Sequence, residues 1–292
     1  MHRRVVGSLL VVVVGLIPLF IGGPVFGLFM VVLGVAGYRE YLELVARVNS
    51  PATGTHVQAG YSVIAALGCA ALIDETTASL FLIVFLAVAA PLVMLFPRST
   101  NPGGFSAWAL ASTGSLYLGL PIYAAVATRS SPGAIDAPWL TEAAGRLAFR
   151  WDPAPRGLAW ALTLVLAIWV GDSVALLAGR ALGRQKLAPK ISPNKSREGA
   201  IGGLMASMAM CVVSFQVFGL GHWWLGLIVG AVFSLAGQIG DLAESFLKRQ
   251  AGVKDSGSIV PGHGGVLDRI DALLFAFPVG FLVAVGLGRF GT

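Results

Sequence analysis

LAWALTLVLAIWVGDSVALLAG, residues 158–179, is a run of 22 residues with one charged side chain, Asp172. A helix rising 1.5 Å per residue needs about 20 apolar residues to cross the ~30 Å hydrocarbon core of a bilayer, and this run has that length. It is continuously apolar, whereas a strand of a membrane barrel would alternate over about 10 residues. It therefore reads as a membrane-spanning helix, the segment type whose backbone polar groups are all satisfied internally. Comparable runs lie at about 5–21, 23–38, 60–74, 78–96, 105–128, 200–218, 222–240 and 270–288, which makes nine with the first. The whole chain agrees: of 292 residues 56% are hydrophobic and 12% charged, and mean hydropathy is +0.81. A soluble globular domain has roughly a quarter of its residues charged. The expected fold is an all-α polytopic membrane protein of about nine transmembrane helices, with its chemistry in a polar cavity at the cytoplasmic side.

The 38 glycines include Gly202, Gly203, Gly226, Gly230 and Gly237 inside apolar runs. Between membrane helices small residues let backbones approach closely, so tight packing is expected of them. Orientation follows from the basic residues. With nine spans and a cytoplasmic amino terminus, fifteen of the twenty Lys and Arg residues fall on the cytoplasmic side, leaving Arg129, Arg146, Arg150, Arg156 and Arg289 outside. The net charge of +6 is then a topology bias with an attraction for anionic headgroups and phosphates, and not a nucleic-acid signal. The basic, apolar start MHRRVVGSLLVVVVGLIPLF reads as a retained anchor, since no small-residue cleavage site follows. Cys69 and Cys211 sit in apolar runs without metal or redox spacing. The interruption at about 129–157 reads as an external loop with one amphipathic segment and no catalytic pattern.

Two polar segments remain. Residues 171–199 carry Arg180, Arg184, Lys186, Lys190, Lys195 and Arg197 against Asp172 and Glu198. That excess suits a polyanionic ligand, although a cytoplasmic loop is also basic by the topology rule. Pro189, Pro193 and the ISPNKS run predict an ordered turn there. The second segment is SFLKRQAGVKDSGSIVPGHGGVLDRID, residues 245–271. Asp241, Glu244, Ser245 and Lys248 fall at i, i+3, i+4 and i+7, so they share one face if the helix continues past Gly240. Asp268 and Asp271 share a face at the start of the last run. Two helix ends can thus aim carboxylates at a common point, and oxygen ligands of this kind suit Mg²⁺, which completes its shell with water and substrate phosphate. Acids at a helix start also answer the helix dipole. Charge at the edge of hydrocarbon is costly, so Asp172 and Asp241 need water, a cation or a metal. In Gly262–Gly265, backbone amides free of side-chain bulk, including those of Gly264 and Gly265, could approach phosphate oxygens.

These residues resemble the phosphatidate cytidylyltransferases, the CDP-diacylglycerol synthases. The likeness rests on Ser245, Lys248-Arg249, Lys254-Asp255, Pro261, His263-Gly264-Gly265, Asp268-Arg269 and Asp271, on GQIGDLAES at 237–245, and on Gly171-Asp172, Gly179-Arg180 and Lys190–Pro193. It covers about 158–292, so the chain divides into amino-terminal helices and external loop, 1–157, and a catalytic region, 158–292. Val260, Ser173, Leu176 and Ser196-Arg197 depart from the family's usual residues, and none of these changes removes an acid or base of the signature. The resemblance implies that CTP and phosphatidic acid give CDP-diacylglycerol and pyrophosphate, an activity of phospholipid synthesis in the cytoplasmic membrane with the site facing the cytoplasm. It implies Mg²⁺ on Asp241 and Asp268, with room for a second cation, and Asp271 supporting that shell or orienting Arg269. Lys248, Arg249, Lys254 and Arg269 are expected to hold triphosphate and departing pyrophosphate. Lys190, Lys195 and Arg197 would take the lipid or nucleotide phosphates, His263 would donate to a phosphate oxygen, Asp172 would anchor a cation, and Ser245 would bind water, metal or phosphate. Membrane lipids are expected neighbours, and a homodimer the expected assembly.

Two other classes fit a polytopic chain with acids in its spans. A secondary transporter would show matched broken helices in its two halves, and no such symmetry is visible. The second class is another lipid-phosphate enzyme, such as an alcohol phosphotransferase or a polyprenol kinase; the alcohol phosphotransferase would need spaced aspartates opened by Asp-Gly and followed by Ala-Arg, a pattern this chain lacks.

Overall fold

The computed structural model describes residues 13–48, 55–73, 84, 104–147, 154–259 and 264–290. Residues 13–21 are helical, and the elements that follow are α1 (Gly23–Val48), α2 (Thr55–Ile73), α3 (Gly104–Arg129), α4 (Pro138–Leu147) and α5 (Pro155–Leu182). Then come strands β1 (Lys186–Ala188) and β2 (Ser192–Ser196), and helices α6 (Arg197–Phe218), α7 (Trp223–Gln250) and α8 (Leu267–Phe290). Among the described residues six helices are long and apolar enough to cross a membrane, namely α1, α3, α5, α6, α7 and α8 over Leu267–Leu287, and α2 holds a shorter apolar stretch, Val57–Leu72. The all-helical, polytopic expectation holds at this level. The expected span at 78–96, residue 84 apart, and the first part of the one at 5–21 lie outside the described residues.

Two helices overrun their apolar runs by ten residues: α1 reaches Val48 where the run ends at 38, and α7 reaches Gln250 where it ends at 240. Polarity ends a hydrophobic run without ending a helix, because the helical backbone keeps satisfying itself and the added turns place polar side chains on a chosen face. In α1 the overrun carries an Arg39–Glu43 pair at 3.1 Å. In α7 it carries Asp241, Glu244, Ser245 and Lys248 on one face, with Glu244, Ser245 and Lys248 buried.

The chain forms two compact units, each assembled from separated stretches. The first contains residues 24–127 and 247–270. Its core is Tyr38, Tyr41 and Leu44 of α1 against Ile64 and Leu67 of α2 and Leu118 and Ile122 of α3. Two phenols are buried there with their hydrogens placed: Tyr38 donates to the Ala111 carbonyl and Tyr41 to that of Leu110, each at 3.2 Å. The second contains residues 16–23, 128–246 and 271–292. Here α5 packs along α6, with Trp160 edge-on to Phe215 at 5.5 Å, and Phe233, Ala276 and Phe277 complete the core.

The glycines of this second unit do what small residues do between membrane helices. A Cβ at Gly203 would lie 2.9 Å from the Gly171 carbonyl oxygen, at Gly226 2.8 Å from Val212 Cα, and at Gly230 2.5 Å from Met208 Cα. Beside Gly171, Ser207 donates across to the Ala167 carbonyl at 2.8 Å. The expected amphipathic segment is α4, which buries Leu140 and Ala144 and sets Trp139 against Phe218. Arg129, 1% exposed, donates to the carbonyls of Leu19 at 2.6 Å, Phe20 at 3.2 Å and Ala154 at 3.4 Å.

Candidate active site

Within the second unit the basic segment is a small antiparallel hairpin, with Lys186 opposite Ser196 and Ala188 opposite Ser192. This is the ordered turn that the two prolines predict, and Lys190 stands exposed at its tip. Its far end is fastened to α6. Ser196 is the N-cap, its Oγ accepting from the Gly199 N–H at 3.1 Å. The Glu198 carboxylate accepts the Gln185 N–H at 3.2 and 3.3 Å, and Arg197 donates to the Gln185 side-chain oxygen at 3.1 Å. Arg197 is thereby engaged in holding the hairpin.

So anchored, β2 delivers Lys195 to Asp241 of α7, where Nζ forms an ion pair with Oδ2. Ser245, one turn on, donates to Asp241 Oδ1 at 3.5 Å. Asp172 of α5 lies within electrostatic reach of both Asp241 and Lys195. The pair keeps close to a third of its side-chain surface exposed, 28% for Lys195 and 30% for Asp241, so a ligand can reach it. The carboxyl oxygens of Asp241 and the nearby Asp172 are ligands of a kind that suits an incoming cation.

In the first unit the end of α7, the following loop and the start of α8 gather a second cluster. Lys248 Nζ meets Asp268 Oδ1 at 2.6 Å, with the two side chains 11% and 6% exposed. Asp268 Oδ2 accepts the Gly265 N–H at 2.8 Å and both the N–H and the hydroxyl of Ser256 at 2.9 Å. Gly264 adopts φ +86°, a left-handed conformation that favours glycine, and a Cβ there would lie 2.7 Å from Asp268 Oδ2. The loop glycines therefore fit closely around a carboxylate. Arg249 donates to the Val253 carbonyl at 3.0 Å, closing the end of its own helix, while Lys254 and Arg269 are exposed. Asp271 Oδ1 accepts the Ala272 N–H at 2.7 Å. His263 lies outside the described residues.

Residue reading missed Glu40 and Ser256. Glu40 is 1% exposed and accepts three hydrogen bonds from the loop and the start of α8. One signal was available: an acid two residues past an apolar run, on a helix that continues, needs a partner.

A family model for cytidylyltransferases matches residues 2–286. The chain belongs to the cytidylyltransferase family. Similar proteins include the phosphatidate cytidylyltransferase of Staphylococcus haemolyticus (strain JCSC1435), 49% identical over 125 residues, which are 42% of this chain and 48% of that protein. Those of Staphylococcus saprophyticus and Staphylococcus aureus (strain COL) are 44% and 46% identical over 133 residues, 45% of this chain and 51% of each relative. The chain spans about half the length of the curated relatives it matches.

For a cytidylyltransferase the donor chemistry of both clusters suits a hard divalent ion, because every acidic ligand offered is a carboxylate oxygen. Among the described residues no group of three or more His, Cys, Asp or Glu side chains is gathered to cage a metal. The carboxylate oxygens present are of the kind Mg²⁺ takes one or two of, filling its shell with water and phosphate.

Proposed function

We propose that this cytidylyltransferase transfers the cytidylyl group of CTP to phosphatidic acid, giving CDP-diacylglycerol and pyrophosphate. The observation that carries the reading is the repeated pairing of acid with lysine, Asp241 with Lys195 and Asp268 with Lys248. A phosphate monoester must approach a triphosphate although both are anions, so catalysis is mainly neutralisation and alignment. Each pair is close to neutral at rest and holds one cation and one anion in reserve. When nucleotide enters, each lysine can pass to phosphate oxygens while its carboxylate turns to the counter-ion. The names of the similar staphylococcal proteins support the same substrates.

In this reading an oxygen of the lipid phosphate attacks the α-phosphorus of CTP. The bond from that phosphorus to the α,β-bridging oxygen breaks, and pyrophosphate leaves with the electron pair. The attacking phosphate is already largely ionised near neutrality, so no side chain need remove its proton. Lys248, Arg249, Lys254 and Arg269 hold the triphosphate and then the pyrophosphate, with His263 as a further donor. Lys190, Lys195 and Arg197 steer the lipid phosphate. Asp241 and Asp268 would hold Mg²⁺, which when bound would supply charge neutralisation at the phosphates; Asp271 would support it, and Asp172 and Ser245 keep Lys195 and Asp241 in place. The region 158–292 is catalytic, nine helices cross the cytoplasmic membrane, the site faces the cytoplasm among membrane lipids, and the protein works as a homodimer.

The test is purified protein in detergent with phosphatidic acid, Mg²⁺ and labelled CTP, comparing wild type with Asp241→Asn and Asp268→Asn. Labelled CDP-diacylglycerol is expected from the wild type, with each variant slower by about 10²–10³-fold, the range for losing one preorganised charge-stabilising group. A folded, monodisperse wild type that makes no lipid nucleotide would defeat the proposal.

A further inference from the structure

We propose that Glu40, on α1 and far in sequence from the signature, is a positioning residue that sets the geometry of Asp268. The inference rests on the functional reading above for its effect on turnover, and on the structure alone for the clamp. Glu40 is a fully buried carboxylate whose two oxygens receive three donors. Oε1 accepts the Val266 N–H at 2.9 Å, and Oε2 accepts the Leu267 N–H at 2.8 Å and the Ser256 hydroxyl at 3.0 Å. Val266 directly precedes α8 and Leu267 opens it, at the helix start where backbone N–H groups lack acceptors within the helix. A carboxylate there satisfies them and complements the positive end of the helix dipole. The helix that carries Asp268 in its first turn is thus held at its tip by a side chain of α1.

The link to Asp268 is direct. Ser256 Oγ lies 3.0 Å from Glu40 Oε2 and 2.9 Å from Asp268 Oδ2. A hydroxyl has one proton, so it serves one of the two carboxylates at a time. Two glycines are shaped to the same clamp: a Cβ at Gly257 would lie 2.8 Å from the Glu40 carboxyl carbon, and one at Gly265 would lie 2.6 Å from it. Gly265, otherwise assigned to phosphate access, therefore also has a steric reason that begins on α1.

Glu40→Gln separates charge and acceptor geometry from shape. A glutamine fills the same volume, but whichever way its amide turns, one half presents N–H to a donor that needs an acceptor. In full-length protein in detergent, Glu40→Gln is expected to lower kcat on the order of tenfold or more and to raise the Mg²⁺ concentration for half-maximal rate, with KM for phosphatidic acid unchanged; a charged hydrogen-bond network lost at a buried site has that scale. Glu40→Asp, which keeps the charge, should recover part of the rate. Hydrogen exchange read by mass spectrometry should show the Val266 and Leu267 amides losing protection in Glu40→Gln while the amides around Leu118 and Ile122 keep theirs. Wild-type kcat and Mg²⁺ dependence in Glu40→Gln, or unchanged protection at 266–267, would overturn the clamp. If Glu40→Gln does not fold, Ser256→Ala decides, with the same shift in Mg²⁺ dependence expected and a wild-type value overturning it. An inactive wild type removes the functional reading and leaves the exchange measurement to judge the clamp.

Discussion

At the residue scale the two lysine–carboxylate pairs are chemically alike and differently placed. Lys248–Asp268 is nearly enclosed, and Lys195–Asp241 is open to solvent over about a third of its surface. Breaking an enclosed pair by removing one partner leaves a buried charge and costs roughly 3–5 kcal/mol, whereas exposed pairs are worth about 0–1 kcal/mol. Lys248→Met is therefore expected to lower the thermal unfolding midpoint in Mg²⁺-free detergent well below wild type, and Lys195→Met to lower it little. Equal midpoints for the two variants would contradict the difference in enclosure between the two pairs. What the chain alone shows here is the identity of the charged residues; their partners lie too far off to read. Asp241 is 46 residues from Lys195, and Ser256 is 216 from Glu40. Spacing rules reach one or two helical turns, so they found the shared face of α7 and could not find these partners.

At the element scale hydropathy located α3, α5, α6 and α8 to within a few residues, because a span must be apolar for its full length. It cut α1 and α7 short, since the turns that matter for chemistry are the polar ones. The hairpin was visible only as an ordered turn: strands of three and five residues with a proline in the second carry too little alternation to be read. Helix contact surfaces, by contrast, were legible in the glycines. Gly230→Leu would drive a side chain into the backbone of α6 and is expected to cost on the order of 1–3 kcal/mol or prevent folding. Gly286→Leu on α8, where a Cβ meets nothing within 4 Å, should fold like wild type. Thermal unfolding and size-exclusion profiles of the two variants check this, and a tolerated Gly230→Leu would mean that α6 and α7 do not pack so closely.

At the scale of the whole molecule the proposed topology lets the charge distribution set a direction in the bilayer. In a chain whose Cys69 and Cys211 are replaced by alanine, Lys190→Cys at the hairpin tip and Gly145→Cys on α4 report opposite faces. A membrane-impermeant maleimide should label Lys190→Cys only in inside-out vesicles and Gly145→Cys only in intact cells. Labelling of both from one side would refute the proposed arrangement of spans. In the proposed function the same basic residues would stand where anionic lipid and nucleotide arrive, so topology and substrate attraction would come from one distribution of charge.

Arg129 carries an implication for biogenesis. Its guanidinium is shut away from water and held by three carbonyls, two from the helical residues at 19–20 and one from Ala154. During translation the first two acceptors are made long before the arginine, but Ala154 emerges 25 residues after it. An uncompensated cation near lipid is expensive, so a nascent chain halted between these points carries a half-sheltered charge. Maturation of this corner thus has a built-in sequence of events, finished only when the start of α5 has left the ribosome.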